Sequence, residues 1–189
     1  MFMADEPGPG KRADARRNRS KIIEAARQAL AETGDLPSMA EISRRAGVGM
    51  ATLYRNFPGR TELVEELYRA QVDDICASAG TIGGRTPGEA LFSWLWSFHA
   101  AGARKGPLAA LLLQDSGGDS QVLSESRSRV IAAAQPLFAA AGESGEVRDD
   151  VSVGQVLDAV VALERVRDDA SSKVSMIQVL FDGLRRREA

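Results

Sequence analysis

The chain has 189 residues, a length sufficient for one or two small domains with a hydrophobic core. Its content of 44% hydrophobic and 26% charged residues is ordinary for a globular protein. No apolar run approaches the length needed to cross a bilayer, which excludes an integral membrane protein built from helices. The formal net charge of −2 argues against a protein that binds nucleic acid through its overall charge.

The charge is unevenly distributed along the chain. Residues 11–69 contain 12 basic and 8 acidic residues, whereas residues 70–189 contain 12 basic and 16 acidic residues. This asymmetry is expected when only one end of a protein meets DNA. The first 17 residues lack the apolar segment of a secretory signal, and the single cysteine, Cys76, cannot form an internal disulfide. We therefore expect a cytoplasmic protein in which Cys76 is a small apolar side chain.

The N-terminal segment is predicted to be a disordered basic arm over residues 1–13 that leads into a helix ending near Thr33. Gly34 follows where a helix stop is needed. The basic cluster either contacts phosphates and the minor groove or is the solvated start of a helix. It comprises Lys11, Arg12, Arg16, Arg17 and Arg19.

The stretch 38–60 is predicted to form two short helices joined by a tight turn. Ser38 and Glu41 have the spacing of a capping box, and Gly47 provides the left-handed residue that ends the first helix. The second helix is predicted from Gly49 to about Asn56. Such a pair can be an ordinary helical hairpin, or its second helix can lie in the major groove of DNA.

The outer surface of this second helix has side chains suited to DNA. Small residues allow a close approach of the backbone, hydroxyl and amide groups can bind phosphates, and Arg55 can pair with guanine or neutralise a phosphate. The predicted DNA-contacting residues are Ser38, Arg44, Arg45, Gly49, Met50, Ala51, Thr52, Tyr54, Arg55, Asn56 and Arg60.

The segment AGVGMATLYRNFPGRTEL, residues 46–63, resembles the DNA-binding segment of the TetR family of bacterial regulators. The resemblance extends over about residues 15–70. The sequence departs from the family pattern at Gly49, where serine is common, and at Arg60, where lysine is commoner. The matching positions are Gly47, Val48, Thr52, Leu53, Tyr54, Phe57 and Arg60.

We predict an all-α protein of about nine helices. A helix–turn–helix DNA-binding domain of three helices spans 14–58, a connecting helix spans 59–80, and a second helical domain spans 81–189. The helix N-terminus at Arg60 favours a phosphate contact. The resemblance implies that the second domain binds a small molecule and forms the dimer.

The second domain is predicted to begin with a helix over 87–103 whose apolar residues occupy every face, followed by a short helix over 107–114. Phe92, Trp96 and His99 share a face, and Gln114 could add a polar partner, as in a largely apolar ligand site. Aromatic core packing, with His99 bonded to a backbone carbonyl, is the equal alternative.

Three further helices are predicted over 120–141, 152–165 and 172–187, where Pro136 kinks or shortens the first. The apolar stripes of the last two exceed what one small domain needs to bury, so we expect a homodimer. The predicted interface residues are Val153, Val156, Val160, Ile177, Phe181 and Leu184.

The sequence contains no constellation typical of catalysis. It has one histidine and one cysteine, and no nucleophile-elbow or phosphate-loop motif, so we predict neither an enzyme nor a cofactor or metal site. A helical scaffolding protein is the remaining alternative. The resemblance instead implies a ligand-responsive repressor that binds a palindromic operator as a homodimer.

Overall fold

The computed structural model describes residues 9–115, 120–166 and 169–186, and it consists of α-helices joined by short connections. In these ranges no helix is long and apolar enough to cross a membrane. The predicted all-α class is confirmed. The helices are α1 (Pro9–Thr33), α2 (Met39–Ala46), α3 (Met50–Asn56), α4 (Arg60–Ala79), α5 (Pro87–Asp115), α6 (Gln121–Glu143), α7 (Val153–Glu164) and α8 (Ala170–Leu184).

The chain divides into two compact units. The first comprises the described residues up to Tyr68 together with those from Pro107 to Asp115, and the second comprises the remainder. Helices α4 and α5 contribute residues to both. The predicted domain boundaries at 14–58, 59–80 and 81–189 stay a prediction. Residues 9–13 of the predicted disordered arm belong to α1, and residues 1–8 lie outside the described part of the chain.

The first unit is built by packing α1 against the pair α2 and α3. Residues three and four apart on α1, including Ile22 and Ala26, have no exposed surface. Ile42 of α2 and Leu53 of α3, the two helices that pack on α1, are equally buried. Because α2 and α3 have only eight and seven residues, they depend on this packing for their stability.

The turn between α2 and α3 forms largely as the sequence predicts. The Ser38 hydroxyl accepts a hydrogen bond from the Glu41 amide at 3.3 Å and caps α2. Gly47 ends α2 with φ at 63°, in the left-handed region. The Ser43 hydroxyl then donates to the Val48 carbonyl at 2.6 Å and fixes the corner.

Helix α5 is continuous over the two helices that the sequence predicts. Pro107 lies inside it, although an interior proline removes a backbone donor and costs about 3 kcal/mol. Buried residues flank the proline on both sides, Ala101 before it and Leu108 and Leu112 after it. Burial of these side chains overrides the local preference for a break.

The second unit contains the packed helices α6, α7 and α8. The predicted capping box at Ser152 and Gln155 is present at the start of α7. Helix α6 continues through Pro136 to Glu143, so the proline does not shorten it. Helix α8 begins at Ala170, earlier than predicted, because Asp169 caps it by accepting from the Ser172 amide at 2.8 Å.

Candidate functional site

The outward surface of α3 is free of core contacts. Leu53 is its one buried residue, whereas Met50 and Tyr54 are 39% and 46% exposed. Gly49 caps the helix without a side-chain hydrogen bond, and Ala51 is exposed beside it. Large side chains that remain exposed on a short, rigidly held helix are typical of a surface that binds another molecule.

The polar residues of α3 bond to their own helix. Arg55 donates to the Ala51 carbonyl at 3.2 Å and to the Thr52 hydroxyl at 2.9 Å. The Asn56 amide donates to the Thr52 carbonyl at 2.8 Å. To contact DNA, Arg55 must therefore exchange these local bonds for bonds to a base or phosphate.

Helix α2 presents two arginines that share one carboxylate. Glu41 accepts from Arg44 at 2.7 Å and 2.8 Å, and from Arg45 at 2.9 Å. Hydrogen bonds from Arg44, then from Arg45, lower the pKa of Glu41 to about 2. Because Glu41 is used in this way, the predicted capping box is half formed: Ser38 caps the helix, and Glu41 does not bond back to it.

Arg60 is held by the loop before α2. Its two terminal nitrogens donate to the carbonyls of Leu36 at 2.6 Å and Pro37 at 2.7 Å. The predicted phosphate contact of Arg60 stays a prediction. In the structure its guanidinium satisfies backbone acceptors next to the residue that caps α2.

Arg19 of α1 contacts groups on two other elements of the first unit. One terminal nitrogen donates to the Asn56 carbonyl at 3.2 Å, and the other lies 2.9 Å from a carboxylate oxygen of Glu66. Its guanidinium carbon lies 4.4 Å from the centre of the Phe57 ring. The sequence places Arg19 only within a basic cluster, since these partners are 37 or more residues away and no local pattern signals them.

In the second unit, α5 and α8 share an aromatic cluster formed by Phe92, Trp96 and Phe181. Ring centres are 6.2 Å apart for Phe92 and Phe181, and 5.1 Å apart for Trp96 and Phe181. Trp96 also contacts the ring of His99 at 5.6 Å, and Arg185 covers Phe92 at 4.2 Å. Phe92, Trp96 and His99 are therefore brought together as the sequence predicts.

A polar pair lies beside this cluster. Nδ1 of His99 contacts Oε1 of Glu164, and the two side chains are 12% and 15% exposed. Glu164 is absent from the predicted site residues, because its position on α7 gives no local signal of contact with α5. Gln114 is exposed and belongs to the first unit, and its predicted role as a polar partner stays a prediction. Within the described ranges, no group of three or more His, Cys, Asp or Glu residues could hold a metal ion.

The predicted dimer residues lie in the core of the second unit, which requires a correction. A side chain buried within its own chain has no surface left for a partner, so the apolar stripes identify the core instead. The exposed large apolar residues of α7 and α8 are Val161, Val174 and Val179. The six predicted residues, each 4% exposed or less, are Val153, Val156, Val160, Ile177, Phe181 and Leu184.

Comparison with known proteins agrees with this architecture. A family model for the tetR family of bacterial regulatory proteins matches residues 22–67, and one for the C-terminal domain of SbtR-like transcriptional regulators matches residues 86–186. A TetR transcriptional regulator from Streptomyces coelicolor is 30% identical, with a TM-score of 0.71 over 90% of this chain and 99% of the other. A TetR regulatory protein from Mycobacterium vanbaalenii is 35% identical, with a TM-score of 0.67 over 92% and 98%. The chain belongs to the TetR family of DNA-binding transcriptional regulators.

Proposed function

We propose that this regulator is a ligand-responsive repressor that binds a palindromic operator in the cytoplasm as a homodimer. The observation that carries the proposal is the geometry of α2 and α3. Gly47 and the Ser43–Val48 hydrogen bond fix the corner, and α3 keeps one side in the core and the other exposed. A helix held in this way can enter the major groove, with its first residues against base edges.

On this proposal some of the predicted DNA-contacting residues lie against base edges, and others bind the phosphate backbone. Met50 and Ala51, at the start of α3, lie against base edges, while the Tyr54 hydroxyl binds a phosphate. Arg55 leaves its bonds to α3 and pairs with guanine or phosphate. The Arg44 side chain is 73% exposed and adds attraction to the DNA backbone.

The experiment is selection of bound duplexes from a random-sequence library, followed by affinity measurements at several salt concentrations. We expect selected sites to be inverted repeats with half-site centres roughly 34–36 Å apart. Tyr54→Phe should weaken binding to every duplex, and Arg55→Ala should relax preference at one base pair if it reads guanine. Selection of no common sequence would reject operator recognition.

The homodimer is proposed to form through exposed parts of α7 and α8. Val179 is 72% exposed and lies on the side of α8 opposite Ile177 and Phe181, whereas Val174, 47% exposed, lies on their side one turn before Ile177. Val161 adds a third exposed valine on α7. A palindromic operator requires two-fold symmetry, and a surface of this kind can bind its own copy.

The effector is proposed to bind at the aromatic cluster of the second unit. Aromatic walls with a few directing polar groups are typical of small-molecule sites. If Nδ1 of His99 donates to Glu164, its Nε2 is left as an acceptor, which suits an effector with a hydroxyl or amine. Binding would release DNA by favouring a conformer whose α3 helices no longer match the half-sites.

Tryptophan fluorescence can test whether the effector binds at the aromatic cluster. Trp94 is fully buried and donates to the Ile75 carbonyl at 3.2 Å, so Trp94→Phe leaves Trp96 as the sole reporter. Apolar metabolites that release DNA should change the fluorescence of this variant, and His99→Ala should weaken their action. Unchanged release in folded Trp96→Ala and His99→Ala variants would place the effector elsewhere.

A further inference from the structure

Arg19 lies outside α2 and α3, yet it contacts two groups at the end of α3 and a third group on α4. It donates to the Asn56 carbonyl, covers the Phe57 ring and pairs with Glu66 of α4. We propose that Arg19 is a positioning residue that fixes the C-terminal end of α3 and thereby its orientation in DNA, and that it is not a phosphate contact.

The first step of the argument is that the end of α3 needs a partner. The carbonyl of Asn56 is one of the last four of the helix, which have no acceptor role within it. A seven-residue helix cannot hold its end by backbone bonds alone. A cation at this end also interacts favourably with the negative end of the helix dipole.

The second step is that Arg19 joins α3 to two other helices. Its backbone belongs to α1, and Glu66 belongs to α4. Phe57, the residue that follows α3, is 1% exposed, so the ring that Arg19 covers is itself fixed in the core. One planar guanidinium thus sets the position of α3 relative to α1 and α4.

The third step concerns charge. The Glu66 carboxylate neutralises Arg19 at 2.9 Å, whereas a residue serving mainly as a phosphate contact would be placed to meet DNA with its charge free. Lysine carries the same charge but lacks the planar fork that binds a carbonyl and a carboxylate together. Arg19→Lys therefore separates positioning from charge.

The first arm of the test needs no DNA. Hydrogen exchange should be measured at the amides of Leu53 and Phe57, which donate to Gly49 and Leu53 carbonyls at 3.0 Å and 2.9 Å. We expect roughly tenfold faster exchange in Arg19→Lys, because bonds to a charged donor are lost. The matched control is Arg17→Ala on the same helix, where, among the described residues, the arginine pairs with Asp14 one turn away. Exchange in α3 should stay within about twofold of the parent in the control.

The second arm uses the duplex selected by the parent protein and a random-sequence duplex. It rests on the proposed DNA binding, whereas the first arm does not. Arg19→Lys should lose roughly tenfold in affinity for the selected duplex, with the same salt slope and little loss on the random duplex. Glu66→Gln should act in the same direction on the selected duplex, although it removes a negative charge.

The outcomes are distinct. The proposal would be overturned if Arg19→Lys matched the parent protein both in amide exchange within α3 and in affinity for the selected duplex. The positive charge alone would then suffice. A salt slope lower by about one unit in Arg19→Ala, with α3 exchange unchanged, would also overturn it in favour of a phosphate contact. Faster α3 exchange in a protein that selects no DNA would support positioning and reject only the proposed function.

Discussion

A single aspartate on α8 should separate dimerisation from folding. Val179 is 72% exposed, and we propose that it is covered in the homodimer. Val179→Asp should leave the chain folded and make it monomeric. Ile177→Asp, two residues away, replaces a side chain with no exposed surface and should unfold the second unit, because an unpaired charge would be buried.

The expected magnitude follows from the exposure. Complete burial of a valine stabilises by about 1.5 kcal/mol, so covering the exposed part of Val179 contributes about 1 kcal/mol. Two-fold symmetry doubles this to about 2 kcal/mol. Aspartate adds a desolvation penalty of at least about 1 kcal/mol per copy. The sum of about 4 kcal/mol corresponds to a roughly thousandfold weaker dimer.

The assay is sedimentation of each variant over a range of concentrations, beside thermal unfolding followed by circular dichroism. Ser93→Asp is the matched control, since it adds the same charge at an exposed position on α5. A Val179→Asp, Val161→Asp double variant with a parent-like dimerisation constant would refute the proposed surface. A parent protein that stays monomeric at micromolar concentration would refute the homodimer itself.

Three further predictions test other contacts. Glu41→Gln removes the carboxylate that two arginines of α2 share, so affinity for random-sequence DNA at low salt should rise about two- to tenfold in a mobility-shift titration. Gly47→Ala has space for its methyl group but keeps φ at 63°, and should lower the free energy of unfolding in urea by about 1 kcal/mol. Glu146 accepts from Thr86, the Gly88 amide and Ser144, which together hold its pKa below its ordinary value of 4.5. The ionised Glu146 carboxylate therefore stabilises the fold at pH values above its ordinary pKa. This stabilisation is lost as the pH falls through the lowered pKa. Glu146→Gln should weaken this acid dependence in denaturation curves measured at several pH values.

The features that the sequence predicts correctly are local ones. A cap at Ser38 and a left-handed glycine at Gly47 depend on residues within one turn, and so does the capping box at Ser152 and Gln155. Helix bounds at Arg60 and Ala79 follow from apolar spacing between a preceding glycine and a following break. These signals need no knowledge of what packs against the helix.

The features that the sequence does not predict depend on distant partners. Apolar spacing on α8 identifies the side that carries Ile177 and Phe181, but a core and a dimer surface are equally apolar, so the pattern could not tell them apart. The continuity of α5 through Pro107 is of the same kind, because burial on each side of the proline decides it. The contact between His99 and Glu164 joins two helices, and no local pattern in the sequence of either helix predicts it.

The basic residues of the first unit illustrate why charge counts alone do not define a DNA surface. Arg19 and Arg60 contribute to the positive charge of the N-terminal part, yet their guanidinium groups bind protein carbonyls on either side of the helix–turn–helix. Arg60 holds the loop before α2, and Arg19 holds the end of α3. Arg44 and Arg45 share Glu41, and Arg45 also pairs with Glu32, so the charges of these four side chains cancel. DNA affinity should therefore depend on fewer cations than the composition contains, while its specificity depends on arginines that need not touch DNA.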